Sequence, residues 1–269
     1  MFQSPGEIAF TIKNIDVYYY GIIMAVSIFA GLGAVLFLRK RFFPDISEGR
    51  IYDISFLLII AGIIGARLYY AVMDYDYFIK FPYEILSLRN GGISIQGAIL
   101  GAAAAGFIYL KRHKQNFLRY ADLFVFGLSA GQILGRWGNF FNSEAFGMPV
   151  SNSLPWKLFI PYGHRPLEYR NYEFFHPAFL YESILSACIF AVLYLILTKY
   201  NKRRDGLIFY VYIILYSAAR IMVESIRLDS VLNINGIHIA HIASAAFIVF
   251  AAIGLLFLYK GEKAAAVKE

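Results

Sequence analysis

Apolar runs of membrane-spanning length recur along this chain and constrain its fold more than any other feature. A helix that crosses a bilayer needs about 20 mostly apolar residues. Such runs cover 18–38, 51–72, 93–110, 121–141, 177–198, 206–226 and 238–259. With 59% hydrophobic and 16% charged residues, the chain has more apolar surface than a soluble globule of its size buries. We therefore predict an all-α polytopic membrane protein, a single transmembrane domain over 1–269 with seven transmembrane helices.

The lysines and arginines between these runs predict the orientation, because positive charge collects on the cytoplasmic side of short loops. Fifteen of them follow the first, third and fifth spans or lie in the tail, and seven lie in the other connections. The amino terminus is therefore predicted outside and the carboxyl terminus in the cytoplasm. Topology also explains the net charge of +7, so no nucleic acid partner is predicted.

The stretch 142–176, between the fourth and fifth spans, is too polar and too often broken by proline to cross a membrane. We predict a small extracytoplasmic cap here. Elsewhere, small residues recur at four-residue spacing, a pattern that lets helix backbones approach closely. These rows are Gly97, Gly101 and Ala105 in the third span and Gly127, Gly131 and Gly135 in the fourth.

Polar residues gather at the end of the fourth span, in the segment GRWGNFFNSEAFG from 135 to 147. Arg136, Asn139, Asn142 and Glu144 stand where hydrocarbon would otherwise surround the chain. Such groups are unfavourable at bilayer depth, so they normally face a polar cavity, pair with one another and mark a substrate path. The structural alternative is a buried ion pair that only locks helices together.

Polar residues of the other spans are predicted at the same depth. Arg67, Arg136 and Arg220 each lie about 14 to 16 residues into an outward-running span, and so in the outer half of the membrane. The inward-running spans bring further residues to this level: Tyr20, Gln96, His176, Tyr181 and Glu182. In the sixth span a stripe on one helical face is formed by Tyr216, Arg220, Glu224 and Arg227.

Three arginines at one depth indicate an anion site, because their charges repel unless carboxylates or an anionic ligand lie among them. The planar guanidinium fork matches phosphate, and the obvious anion is a phospholipid headgroup. A salt-bridged seam for the stripe, and an Arg67 that extends to the interface, are the structural alternatives. No aspartate cluster suits magnesium and no histidines have zinc-ligand spacing, so no metal site is predicted.

Six segments of the chain resemble the bacterial prolipoprotein diacylglyceryl transferases. They are YYYGIIM, GARLYY, GGISIQGAILG, GRWGNFFNSEAFG, HPAFLYE and YSAARIMVESIR. The fourth is the most specific, because it fits the family pattern G-R-x-x-N-F-x-N-x-E-x-x-G at every fixed position from Gly135 to Gly147. The resemblance covers most of the chain and implies a multi-pass protein of the bacterial cytoplasmic (inner) membrane.

Similarity to that family implies transfer of a diacylglyceryl group from phosphatidylglycerol to the thiol of the lipobox cysteine in a prolipoprotein signal peptide. Glycerol phosphate is released, and no cofactor is implied; this is the first step of lipoprotein maturation. The family's important arginines fall on Arg136 and Arg220, and its polar positions fall on Asn139, Glu144, Tyr20, Tyr216 and Glu224. The predicted substrate-binding set also includes Asn142, Gly147, Arg67, Arg227, Tyr181 and Glu182.

One position departs from the family pattern. Where many members have histidine in the third-span motif, this chain has Gln96, which cannot act as a general base and is expected to hydrogen-bond the headgroup. His176 is a candidate base, although its place before Pro177 equally suggests a helix-entry cap. Glu144 and Glu224 are expected to orient the guanidiniums.

A small transporter or lipid flippase is the alternative function, in which charged residues near the membrane midplane move an ion or an anionic solute. Such a protein is expected to have inverted repeats and helices broken near mid-membrane. The sequence has neither pattern, and its charges are predicted in the outer half. We therefore favour the transferase.

Overall fold

The computed structural model describes residues 1–87, 91–151, 153–200, 204–228, 233–234 and 237–266. Its α-helices are α1 (Tyr19–Phe42), α2 (Glu48–Met73), α3 (Tyr75–Lys80), α4 (Ile95–Arg112), α5 (Phe117–Phe141), α6 (Ala178–Lys199), α7 (Leu207–Glu224) and α8 (Ile239–Ala266). Short 3-10 helices cover Pro82–Leu86, Tyr162–His164 and Leu167–Tyr169. Its strands are β1 (Phe2–Gln3), β2 (Ile8–Ile12), β3 (Ile15–Tyr18), β4 (Leu158–Phe159), β5 (Phe174–Phe175), β6 (Asn233–Ile234) and β7 (Ile237–His238). Arg89, Lys202, Arg203 and Lys268, which entered the charge count, lie outside the described residues.

The long helices coincide with the predicted spans. Within the described ranges, five helices are long and apolar enough to cross a bilayer: α1, α2, α6, α7 and the Ile239–Lys260 part of α8. The helices α4 and α5 are not among these five. In α5 the apolar sequence is interrupted by Gln132, Arg136 and Asn139. The protein is thus a mostly helical, polytopic membrane protein.

The chain divides into two compact units, residues 1–37 with 121–269, and residues 38–120. In the smaller unit α2 and α4 pack closely through glycines. A Cβ atom on Gly65 or Gly97 would overlap the backbone of the facing helix, and one on Gly101 would lie 2.5 Å from the carbonyl oxygen of Ala61. The predicted packing role of the small-residue row in the third span is confirmed.

In the larger unit α1 and α5 approach each other in the same way. A Cβ atom on Gly31 would lie 2.7 Å from the carbonyl oxygen of Gly127. Further along this seam the Tyr20 ring covers Gly138, where a Cβ atom would lie 2.9 Å from the ring. The close approach places Tyr20 beside the last turns of α5, within electrostatic range of Arg136.

The stretch 142–176 folds against the amino terminus. Strands β4 and β5 pair antiparallel, and β1 adds a parallel strand to β4. A buried aromatic and aliphatic core lies beneath this small sheet: Phe140, Phe146, Leu158, Ile160, Phe175 and Phe179. No strand was predicted at the amino terminus, because a strand of two residues has no detectable alternation of apolar and polar residues. The hairpin of β2 and β3 was also missed.

Asp122, near the start of α5, holds the beginning of α7. Its two carboxylate oxygens accept hydrogen bonds from the backbone N–H groups of Gly206 and Phe209, each at 2.8 Å. The residue is 1% exposed. First-turn N–H groups have no partner inside their own helix, and a carboxylate beside them also complements the helix dipole. The turn requires Gly206, whose φ of 100° lies in the left-handed region.

We predict that Asp122→Ala destabilises the protein by about 3 kcal/mol, because two buried N–H groups lose a charged acceptor. Asp122→Asn keeps one acceptor oxygen, so its effect should be smaller. The midpoint of thermal unfolding in detergent measures both. Asp76→Ala, at an exposed position of α3, is the control, and equal midpoints for Asp122→Ala and this control would contradict the assigned role.

Candidate functional site

The carboxylate of Glu182, in the second turn of α6, lies at the centre of an arginine cluster. One oxygen, Oε1, accepts a hydrogen bond from Nη1 of Arg220 at 3.0 Å and lies 3.5 Å from Nη1 of Arg227. The other oxygen, Oε2, lies 3.1 Å from Nη1 of Arg136. Glu182 is 7% exposed. A single buried carboxylate thus pairs with guanidiniums from α5, from α7 and from the residues that follow α7.

A second carboxylate supports the cluster from within α7. Nη2 of Arg220 lies 2.6 Å from Oε2 of Glu224, one helical turn further on. Glu224 is 4% exposed. Because Arg220 pairs with both glutamates, its guanidinium plane is held from two directions. Two residues of the stripe predicted for the sixth span, Arg220 and Arg227, therefore pair with Glu182.

The paired groups carry a net positive charge. Arg136, Arg220 and Arg227 contribute three positive charges, and Glu182 and Glu224 contribute two negative ones. A cavity lies beside them, lined by Arg136, Glu182, Tyr216 and Arg220 together with apolar residues of α6 and α7. The cavity encloses about 20 Å³ of free space, enough for about one water molecule. Positive charge exposed to a small cavity attracts an anion.

A polar pair that the sequence did not predict lies one to two helical turns before this cluster on α5 and α7. The hydroxyl of Tyr212 donates to Oε1 of Gln132 at 3.0 Å, and the ring of Tyr212 stacks on Tyr216. Tyr212 lies one turn before Tyr216, so extending the stripe by four residues would have found it. Gln132 lies one turn before Arg136 in the same way.

The segment after α5 folds Glu144 back over the end of the helix. Ser143 and Ala145 adopt the left-handed conformation, with φ of 51° and 53°, and the Glu144 N–H donates to the carbonyl of Asn139 at 3.0 Å. The carboxylate of Glu144 then accepts from the side-chain amides of Asn139 at 2.9 Å and Asn142 at 3.4 Å. Glu144 thus orients these amides and, in the described structure, makes no ion pair with an arginine.

Gly147 is packed between two segments that carry site residues. A Cβ atom there would lie 2.8 Å from Cβ of His176 and 2.9 Å from the carbonyl oxygen of Ile226. The Gly147 N–H donates to the carbonyl of His176 at 2.9 Å, and Gly147 forms a β-bridge with Arg227. Because Gly147 has no side chain, the 142–176 cap can pack directly against His176 and against the segment of Ile226 and Arg227.

His176 lies just before α6, where its ring contacts a tyrosine. Nδ1 is 3.0 Å from the hydroxyl of Tyr181, which also accepts from the indole N–H of Trp156 at 3.0 Å. Pro177 is the N-cap residue of α6 and makes no side-chain cap, while the carbonyl of His176 accepts a hydrogen bond from the Ala178 N–H at 2.9 Å. The backbone of His176 thus contributes to the helix entry and its ring does not, so its role as a base stays a prediction. Burial lowers the pKa of the His176 imidazole from its ordinary 6.5, which leaves the ring neutral at pH 7.

His176 also lines an open cavity of about 400 Å³, together with the loop around Pro149 and Pro155.

Arg67, expected to contact the headgroup or extend to the interface, instead binds a segment of its own unit. Its three guanidinium nitrogens donate to five backbone carbonyls, those of Glu84, Ile85, Ser87, Gly91 and Gly92, at 2.5 to 3.0 Å. The residue is 5% exposed. The physical reason is that a short 3-10 helix, Pro82–Leu86, and the glycines Gly91 and Gly92 present backbone carbonyls to Arg67, and an arginine satisfies several carbonyls at once. We therefore assign Arg67 a structural role.

Gln96 lies in the first turn of α4 in the smaller unit. Its Oε1 accepts a hydrogen bond from the Ser94 hydroxyl at 2.6 Å, and the side chain is exposed within that unit. The amide is therefore oriented by a local contact at the helix start. Its expected contact with a headgroup stays a prediction.

The comparisons with known proteins agree on one family. The model of the prolipoprotein diacylglyceryl transferase family matches residues 7–257. A phosphatidylglycerol–prolipoprotein diacylglyceryl transferase of Acaryochloris marina is 40% identical over 261 residues, which cover 96% of this chain and 93% of the relative. Its counterpart in Thermotoga petrophila is 43% identical over 213 residues, which cover 78% and 71%. That of Trichormus variabilis is 38% identical over 263 residues, which cover 96% and 92%.

The fold is that of a polytopic helical membrane protein, and the relatives that it matches are diacylglyceryl transferases. The family model and the relatives match most of the length of this chain, which identifies the family. The chain belongs to the prolipoprotein diacylglyceryl transferase family. The comparisons do not favour the transporter or flippase.

We predict that Glu182→Gln lowers the free energy of unfolding by about 3 kcal/mol, because three partly buried guanidiniums lose their shared counter-ion. Glu144→Gln, which changes an exposed carboxylate that contacts only amides, should change it by about 1 kcal/mol or less. Thermal unfolding in detergent measures both variants. Inorganic phosphate should recover part of the loss in Glu182→Gln, because an anion can replace the carboxylate. A wild-type midpoint for Glu182→Gln would contradict the central role of this residue.

Proposed function

We propose that the protein transfers the diacylglyceryl group of phosphatidylglycerol to the thiol of the lipobox cysteine in a prolipoprotein signal peptide, with release of glycerol phosphate. The named relatives are phosphatidylglycerol–prolipoprotein diacylglyceryl transferases. The observation that carries the proposal is the arginine cluster, where three guanidiniums share two carboxylates. Its surplus of one positive charge complements the single negative charge of a phosphodiester headgroup.

The proposal includes seven membrane spans in a bacterial inner membrane, with the amino terminus outside. Two observations support it: the positions of the long helices and the bias of lysine and arginine toward alternate loops. In this orientation the arginine cluster lies toward the extracytoplasmic surface, where a secreted prolipoprotein presents its cysteine. The 142–176 cap then lies on the same side.

Arg136 and Arg220 are proposed to hold the lipid phosphate. Each is 23% exposed, and each guanidinium is oriented by a glutamate, so its fork of donors is preorganised for a planar or tetrahedral anion. The free space beside them holds about one water molecule, so side chains must move to admit a phosphate. The phosphate would compete with the carboxylate of Glu182, because that carboxylate accepts a hydrogen bond from Arg220 and forms an ion pair with Arg136.

The reaction forms a sulfur–carbon bond and breaks a carbon–oxygen bond. The cysteine thiolate attacks the glycerol carbon of the diacylglyceryl group, and the phosphate oxygen leaves with the bonding electrons. The phosphodiester carries one negative charge and the phosphate monoester that leaves carries two, so Arg136, Arg220 and Arg227 stabilise charge that develops during the step. The thiol proton must pass to a base, since a cysteine with a pKa of about 8.5 is mostly protonated at pH 7.

The other polar residues are proposed to orient the substrates. Asn139 and Asn142, held by Glu144, offer amide donors to the phosphate or to the free glycerol. Tyr20, Tyr216 and Tyr181 offer hydroxyl groups around the same region, and Gln96 is proposed to contact the headgroup. His176 is proposed as the proton acceptor, because its ring is neutral at pH 7 and contacts the Tyr181 hydroxyl rather than the N–H groups of α6.

The decisive experiment incubates the purified protein with phosphatidylglycerol and a lipobox peptide and measures the mass of the peptide. Addition of a diacylglyceryl group to the cysteine supports the proposal. A peptide of unchanged mass, together with solute flux in liposomes, would support the transporter instead. A peptide with alanine in place of the lipobox cysteine is the control, since it has no thiol to modify.

We predict that Arg136→Lys lowers turnover by about 100-fold or more while the protein stays folded, because a point charge cannot replace the planar fork. Arg220→Lys should act in the same way. Arg119→Lys is the matched control, since Arg119 is also ion-paired, with Asp45 at 2.6 Å, and lies outside the cluster. Turnover by Arg136→Lys within a few-fold of the control would remove Arg136 from the mechanism.

We predict an acid limb in the pH profile of kcat/KM that belongs to His176. The neutral ring is the active form, and burial lowers the pKa of His176 below 6.5, so activity should persist below that pH and fall only as the pH passes the lowered pKa. His176→Gln should lose the limb and about 100-fold in rate. Tyr181→Phe keeps the imidazole and should keep the limb. A limb that survives in His176→Gln would identify another base.

A further inference from the structure

The hairpin of β2 and β3 carries an apolar face that no other described part of the chain covers. The directly opposed pairs Phe10–Val17 and Ile12–Ile15 point to the same side, as opposed residues of an antiparallel pair do. Phe10, Ile12 and Ile15 are 49%, 56% and 54% exposed. About half of each large side chain is therefore open to whatever surrounds the hairpin.

The opposite face of the hairpin is polar and locally satisfied. The hydroxyl of Thr11 donates to the carboxylate of Asp16 at 2.7 Å, and both residues are exposed. At the tip, Lys13 and Asn14 form the turn with left-handed φ of 47° and 66°, the conformation that a two-residue hairpin turn requires. The hairpin is thus amphipathic, with a cation at its tip.

The hairpin continues directly into a membrane-spanning helix. Strand β3 ends at Tyr18 and α1 begins at Tyr19, and α1 is one of the helices long and apolar enough to cross a bilayer. The base of the hairpin is closed by a hydrogen bond from the Tyr19 N–H to the carbonyl of Glu7 at 2.9 Å. Tyr18, Tyr19 and Tyr20 stand at this junction, and tyrosines are typical of the membrane interface. The hairpin is therefore held at the depth of the lipid headgroups.

We infer that the β2–β3 hairpin lies in the headgroup layer at the outer end of α1, with Phe10, Ile12, Ile15 and Val17 toward the acyl chains. The partner is the lipid surface itself. Continuity with α1 favours lipid over another protein, because no linker separates the apolar face from the bilayer. An isolated two-stranded hairpin is marginally stable in water, and insertion of one face by about 5–10 Å supplies the missing apolar contact. Lys13 is then placed to pair with lipid phosphates.

The test compares the two faces of the hairpin by site-directed spin labelling in vesicles that contain phosphatidylglycerol. The chain has one cysteine, Cys188, so Cys188→Ala supplies the background. Ile12→Cys and Ile15→Cys report the apolar face, and the matched controls Thr11→Cys and Asp16→Cys report the polar face. All four positions are exposed, so differences between them report the surroundings rather than burial in the protein.

Accessibility to oxygen, which concentrates in lipid, is measured against a water-soluble nickel chelate. The ratio of oxygen to nickel accessibility should be at least about threefold higher for the labels at 12 and 15 than for those at 11 and 16. Equal ratios on the two faces would overturn the inference. Labels at 12 and 15 that are shielded from both reagents would also overturn it, since a protein partner or a second copy would then cover the face.

Each labelled variant must first show the thermal midpoint of the background protein in detergent. None of the four positions belongs to the arginine cluster, so diacylglyceryl transfer can be assayed on the same samples. The inference does not depend on the proposed function. A failure of the lipid-accessibility test is therefore distinguishable from a failure of the transfer assay.

Discussion

The buried carboxylate of Glu182 is the interaction on which the polar end of the larger unit depends. Arginines from α5, from α7 and from the segment after α7 meet on its two oxygens. Without it, three positive charges would stand within a few ångströms of one another in a medium that screens them poorly. With it and Glu224, one positive charge remains. The same arrangement therefore holds three segments together and leaves a site that attracts one anion.

The surrounding structure sets the position of this cluster without contributing charge. Glycines let α1 lie against α5, so that Tyr20 reaches the turns around Arg136. Gly147 lets the cap close between His176 and Ile226, which continues into Arg227. Asp122 holds the start of α7, whose other end carries Arg220 and Glu224. Each of these contacts is a close approach of backbones or a hydrogen bond to the backbone, so the helices can shift little without losing it.

The site was partly predictable because helical spacing and membrane depth are local properties. Four-residue steps put Tyr216, Arg220 and Glu224 on one face, and span lengths put Arg136 and Glu182 at a similar level. Contacts with segments outside the long helices were not predictable in this way. Arg67 was predicted at the same depth as Arg136 and Arg220, but its guanidinium donates hydrogen bonds to backbone carbonyls between residues 84 and 92. The positions of these carbonyls cannot be predicted from the periodicity of the sequence. The carbonyl of His176 accepts from the first N–H of α6, as its place before a proline suggested, but no local pattern predicted the contact of its ring with Tyr181.

The sequence by itself determined the membrane class, the positions of the long helices, the glycine packing rows and the family. These follow from apolar length, small-residue spacing and motif order, which are read along the chain. Only the tertiary structure decided which charges pair, that the amino terminus adds a strand to the cap, and that Arg67 supports a loop. The physical reason is that the partners lie far along the chain, about 40 residues away for the ion pairs of Glu182 and more than 150 for the strand β1. Their approach depends on packing between helices rather than on any local pattern.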